Sequence, residues 1–267
     1  MTTHTFPLTG PINVHARIGA GSLRIETADG LSAATVELDG AAEVLAATIV
    51  ELRGPTLTVL GPRQGGVFDL PFLGARRTEH AGLAVRIVVP TGTAVRAATF
   101  TAPITVIGTV GGADLAFGHG SATVEHVTGD LRLRFGGGSA AVEQVDGAVE
   151  TRSGAGGVRL GEVGGDIVAA CGSGDLTVEA VRGDVRARSG SGGAAFGAVH
   201  GDVDLASGAG RLEIGLPAGV SASLNVHTGL GAVHSELPIE DAPTAANRTI
   251  SIRARTGNGD VRLYRAA

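Results

Sequence analysis

Three aspartates, Asp166, Asp184 and Asp202, recur at 18-residue intervals, each directly behind a glycine. Carboxylates repeated at a fixed spacing are raw material for a calcium site, because Ca2+ takes about 6 to 8 oxygen ligands. On neighbouring parallel strands they would stand about 4.8 Å apart, and each adjacent pair would repel by roughly 1 kcal/mol even in water. Backbone N–H groups at the Gly-Asp turns, the nearby Arg182, Arg186 and Arg188, or a cation must offset that repulsion. Calcium-binding nonapeptide repeats, G-G-x-G-x-D-x-hydrophobic-x, put Asp two places after Gly, whereas here it follows Gly directly. Only Asp175 and Asp260 stand in the matching place at the second corner. Turn capping by the aspartates is therefore the main reading, and a metal held by Asp166, Asp184 and Asp202 is the alternative.

Other residues invite chemistry and then lose it to their context. The stretch "SGAGGVRLGEV", residues 153–163, reads like a phosphate-cradling loop. A P-loop requires G-x-x-x-x-G-K-[ST], however, and all 21 basic residues of this chain are Arg. A dinucleotide fingerprint must lead into a helix, and every Gly-x-Gly here leads into another strand-like run. Cys171 is the single cysteine, which excludes an internal disulfide, and its column holds small residues, as a narrow corner requires. His227 and His234 flank one Gly-x-Gly and are a weak metal signal. Phe68, Phe72, Arg76 and Arg77 lie in the long segment 61–82 and are residue types of binding hot spots, which makes them the interaction candidates. Their bland reading is a cap over an open edge.

The elements that must carry these residues come from a repeat. Rows of 18 starting at Gly111, Gly129, Gly147, Gly165, Gly183 and Gly201 align without an insertion. Besides that first column, two more are all glycine. One contains Gly118, Gly136, Gly154, Gly172, Gly190 and Gly208, and the other Gly120, Gly138, Gly156, Gly174, Gly192 and Gly210. They are read as structural corners where the chain turns through conformations open to glycine. Between corners the apolar residues alternate, which is the period of a strand. Leu131, Val149, Ile167, Val185 and Val203 share one column, and Val127, Val145, Val163, Val181 and Val199 another. Stacked rows would turn these columns into apolar ladders, with a core of Val, Leu, Ile and Ala in a chain only 3% aromatic.

The expected fold is all-β: a single-stranded β-solenoid, a right-handed β-helix with 18-residue coils and irregular terminal strands. One domain is expected over residues 1–267. It comprises irregular N-terminal strands in 1–110 with the loop 61–82, six regular coils in 111–216, and C-terminal coils with a cap in 217–267.

The order of parts adds a resemblance. "VRIVVPTGTAVRAATF", then "CGSGDLTV" and its neighbours, then "LPAGVSASLNVHTGLGAV" and finally "SIRARTGNGDVRLYR" follow one another along the chain. In this the sequence resembles the bacterial putative-adhesin family of β-strand-repeat proteins, in its anchor-less actinobacterial form. The resemblance covers nearly the whole chain and implies a β-strand-repeat fold in a family without an assigned function. An all-Arg, Ala- and Gly-rich composition also points to a GC-rich bacterial genome.

A net charge of −5 gives no nucleic-acid footprint, and no apolar run approaches the length of a membrane span. The N-terminus lacks a basic region followed by an apolar stretch, so a cytoplasmic location is expected. No cofactor is expected. Function is expected to be non-enzymatic: a structural or protein-interaction module with a protein partner or with itself, since solenoid ends expose unpaired strand edges. The alternative is a ligand- or calcium-binding protein, or an enzyme, with its site on the 61–82 loop or on a solenoid face.

Overall fold

The structure is a computed structural model that describes residues 1–62, 82–237 and 248–266. It is all-β, with one six-residue helix among the described residues. The chain divides into two compact units, Met1–His126 and Val127–Ala267.

The first unit contains β1 (Thr2–Pro7), β2 (Asn13–Ile18), β3 (Gly21–Ala28), β4 (Ala33–Asp39), α1 (Ala42–Ala47), β5 (Ile49–Arg53), β6 (Thr56–Leu60), β7 (Leu83–Pro90), β8 (Ala94–Thr99) and β9 (Ile104–Val110). It ends within β10 (Gly112–Val127). Two parallel ladders run through it: β6–β2–β8–β10 and β7–β3–β9. Alternation decides which residues meet inside, as it does in any strand with one buried face. Val14 lies between Leu57 and Val95, and Ile25 between Ile87 and Val106, all buried. The strands β4 on β7, β1 on β4 and β5 on β6 are antiparallel and cover the free edges of the row β6/β7. The 18-residue frame begins one row earlier than the sequence suggests, because β10 pairs with β8 in the register Gly112↔Ala94 to Phe117↔Thr99.

The polar face of this unit carries one ion cluster. Arg86 bridges Glu26 (2.8 Å) and Glu37 (3.2 Å), and Arg24 also bonds Glu26. The guanidinium of Arg86, and then that of Arg24, hold the Glu26 carboxyl down from its ordinary value of 4.5 to about 2.

The second unit contains β11 (Leu131–Val145), β12 (Val149–Val163), β13 (Ile167–Ser173), β14 (Leu176–Val181), β15 (Val185–Ser191), β16 (Ala194–Val199), β17 (Val203–Ala209), β18 (Leu212–Leu216), β19 (Val220–Leu230), β20 (Val233–Ser235), β21 (Arg248–Asn258) and β22 (Val261–Arg265). Its first ladder runs β11–β12–β13–β15–β17–β21–β19. The second runs β11–β12–β14–β16–β18–β22–β20. All pairings are parallel, so like stacks on like: Leu131, Val149, Ile167, Val185, Val203 and Ile252 form one buried column. Each such side chain contributes roughly 1.5–3 kcal/mol on burial.

The structure refines the sequence reading in two respects. The C-terminal coils do not follow in chain order, because β21 and β22 lie between the rows β17/β18 and β19/β20. The glycine columns also differ in cause. Gly138, Gly156, Gly174, Gly192 and Gly210 have φ of +112° to +158° and turn the chain. Gly154, Gly172, Gly190 and Gly208 have no such angle. There, an added Cβ would lie 2.4–2.7 Å from the carbonyl oxygen of the glycine one row before.

Replacing Gly154 with Val should therefore lower the melting temperature strongly, by an unfolding free energy of about 2 kcal/mol or more, while Gly10→Ala, in open space, should not. Glu26 contributes stability that is present above its unfolded value and is lost as pH falls from about 4.5 towards about 2. Melting curves between pH 5 and pH 2, values chosen about that window, should show a smaller loss for Glu26→Gln than for the native chain.

Candidate functional site

The aspartate column lies at the corner where each row enters the first ladder, and its chemistry is capping between rows. Asp166 Oδ1 accepts the N–H of Asp184 (2.8 Å), Asp184 Oδ1 that of Asp202 (2.9 Å), and Asp202 Oδ1 that of Ser251 (2.9 Å). Asp130 does the same for Ala148 (2.9 Å). The second corner repeats the device: Asp175 takes the N–H of Gly193 and Asp260 that of Ala232. This last bond, before any charge effect, holds the Asp260 carboxyl below the usual range.

Each carboxylate thus satisfies a backbone donor of the next row instead of its own turn. The same bond crowds the glycines before Asp184 and Asp202, since a Cβ on Gly183 would lie 2.4 Å from Asp166 Oδ1 and one on Gly201 2.7 Å from Asp184 Oδ1, whereas at Gly165 the nearest atoms are backbone, those of Gly147 at 2.7 Å. Among the described residues, no three His, Cys, Asp or Glu side chains gather in a way that could hold a metal ion.

The remaining candidates separate. Cys171 is buried in the corner column with Ser153, Ser189 and Ser207, beside a cavity of about 10 Å³, barely one water in size. His227 and His234 lie on different ladders, opposite Arg255 and Arg262. Phe68, Phe72, Arg76 and Arg77 lie outside the described residues.

Register assembles a feature that the sequence alone does not display. Two columns point outward from the first ladder, two residues apart along each strand. The inner one reads Arg132, Glu150, Val168, Arg186, Asp204, Arg253, Asn225, and the outer one Arg134, Arg152, Ala170, Arg188, Ala206, Arg255, His227. Together they hold seven arginines against two carboxylates, a net +5 in a chain that totals −5, which leaves −10 for all other residues. The outer column has no acid.

Glu150 engages Arg132 (2.9 Å) and Arg152 (2.8 Å). The side chains of Arg186, Arg188, Arg253 and Arg255 are exposed and form no hydrogen bond or ion pair among the described residues. The outer column stands four residues, roughly 13 Å, from the capping aspartates, beyond the Debye length of about 8 Å at physiological salt. The visible signal was the motif R-x-R, as in "LRLRF", "VRARSG" and "IRARTG". Its third copy is out of frame with the others, and only the inserted row β21 brings it into the column.

No family model matches the chain, and no curated protein matches it. Solved structures are similar over most of their length. A putative adhesin from Bacteroides fragilis is 13% identical, covering 98% of this chain and 96% of that one, with a TM-score of 0.47. A putative cell adhesion protein from Clostridium sporogenes is 11% identical, covering 99% of each, with a TM-score of 0.26. A putative lipid binding protein from Parabacteroides distasonis is 10% identical, covering 98% and 96%, with a TM-score of 0.35. Among the described residues no helix is long and apolar enough to cross a membrane.

Asp184→Ala removes a charged acceptor from a backbone donor and should cost about 1 kcal/mol in thermal or urea unfolding. Asp204→Ala, on the same face without such a bond, should cost almost nothing. Millimolar calcium should leave the native melting temperature unchanged, and a rise would restore the calcium alternative.

Proposed function

We propose that this protein is a non-enzymatic interaction module, a right-handed β-solenoid whose outer arginine face binds acidic partners. The observation that supports it is the segregation of charge: +5 on two adjacent columns of an acidic chain. Arginine is suited to this role, since its planar fork stays charged and meets carboxylates two bonds at a time. The native protein should be retained on a sulfated-polysaccharide resin at neutral pH and low salt despite its net charge. A variant with Arg186, Arg188, Arg253 and Arg255 changed to Glu should flow through with an unchanged circular-dichroism spectrum. Equal elution of the two would refute the assignment.

Self-association is a second reading, favoured by the edge row. Leu224 and Val233 are 41% and 46% exposed, whereas Ile252 and Val261, their partners one row further in, are 0% exposed, and Leu230, opposite Asn258, is 70% exposed. An unpaired strand with apolar side chains is a template for another strand, here that of a second copy. Sedimentation should show a concentration-dependent dimer that Leu224→Arg with Leu230→Arg abolishes. A monomer at all concentrations would count against it.

A further inference from the structure

The outer arginine column has a period of its own. Arg152, Ala170, Arg188, Ala206 and Arg255 are successive in the ladder, so from Arg152 onward an arginine returns at every second row, while Arg134 stands in the row next to Arg152. At about 4.8 Å per row this is roughly 9.6 Å from one guanidinium root to the next. Next to the column lie Gly154, Gly172, Gly190, Gly208 and Gly257, none of which has room for a Cβ. Beyond them, Ala155, Ser173, Ser191 and Ala209 continue the smooth floor. The face is thus a strip of bare backbone running across the rows, walled on one side by evenly spaced arginines.

From this geometry, and resting on the arginine face as the binding surface, we infer that the partner is an acidic protein segment in polyproline II conformation, laid across the rows. Polyproline II advances about 3.1 Å per residue with three residues per turn, so carboxylates at every third position recur on one side about every 9.3 Å. Carboxylates at positions i, i+3 and i+6 then meet Arg152, Arg188 and Arg255 with a cumulative misfit below about 1 Å over both intervals. An extended β-strand presents same-side residues about every 6.6 Å and misses the middle arginine by about 3 Å. No Phe, Tyr or Trp stands in the two columns and the single imidazole, His227, lies in the edge row, so bases have no continuous stacking platform and proline rings no aromatic slot. What remains is recognition of acidic groups by an arginine cluster, with spacing as the source of specificity.

The test uses the full chain and two fluorescent peptides of equal composition and charge. One has four Glu-Pro-Pro repeats; the other has its four glutamates together at one end. Anisotropy titrations should show the spaced peptide binding at least tenfold tighter, with binding weakened by added salt. Arg188→Glu and the milder Arg188→Gln should each reduce its affinity by about tenfold without moving the melting temperature, whereas Arg159→Glu on the other ladder should not. Equal affinity for the two peptides would overturn the spacing inference and leave the arginine-face reading standing. No binding of either peptide, together with loss of resin retention, would overturn both. Tighter binding to a phosphatidylserine vesicle or a single-stranded oligonucleotide than to the spaced peptide would also overturn the inference.

Discussion

Each row of the second unit lies against a copy of itself about 4.8 Å away, so a residue is acceptable only if it tolerates its equivalent in the next row. Apolar residues at inward positions gain from this, because identical shapes stack into continuous columns such as Leu131 to Ile252. Glycine at the approach to the corner is forced by it, since the carbonyl of the preceding row occupies the space a Cβ needs. Aspartates survive it because each carboxylate is aimed at the next backbone N–H, which offsets the repulsion within the column. Among the arginines, Arg152, Arg188 and Arg255 accept it most easily, with Ala170 and Ala206 separating them, whereas Arg134 and Arg152 stand in adjacent rows.

Both units hold one row that is out of chain order. In the first, the opening row β2/β3 lies between β6/β7 and β8/β9; in the second, the closing row β21/β22 lies between β17/β18 and β19/β20. A row held on both sides loses none of its backbone bonds, whereas an edge row leaves one set unpaired. The rows β2/β3 and β21/β22 are thus paired on both sides, like the rows inside each stack, while β1 lies outermost on β4. At one edge the first unit adds antiparallel cover; the second leaves apolar side chains of β19 and β20 exposed.

Periodicity made much of this legible. A column is a local pattern repeated, and Val149, Ile167 and Val185 can be aligned by counting. Counting fails wherever pairing departs from chain order. Arg253 and Arg255 lie 49 residues beyond Asp204 and Ala206, not 18, so the arginine columns look interrupted in the sequence and continuous in the fold. The reach of the aspartates was also hidden, because a Gly-Asp pair reads as a local turn and nothing in one row announces the donor in the next. Arg186 and Arg188 were visible only as neighbours of acids, although the corner acids are already committed to backbone donors.

The inserted row is what completes the arginine face, and cross-linking tests it directly. With Cys171 replaced by Ser, one variant carries Ala206→Cys and Arg255→Cys, and another Ala206→Cys and His227→Cys. Adjacent parallel rows put Cα atoms about 4.8 Å apart, within the range of about 4.4–6.8 Å that a disulfide spans, whereas two rows do not. Under mild oxidation, mass spectrometry should find an intramolecular disulfide between positions 206 and 255 and none between 206 and 227. The reverse pattern would mean that the rows stack in chain order, and Arg255 would stand three rows from Arg188 instead of two.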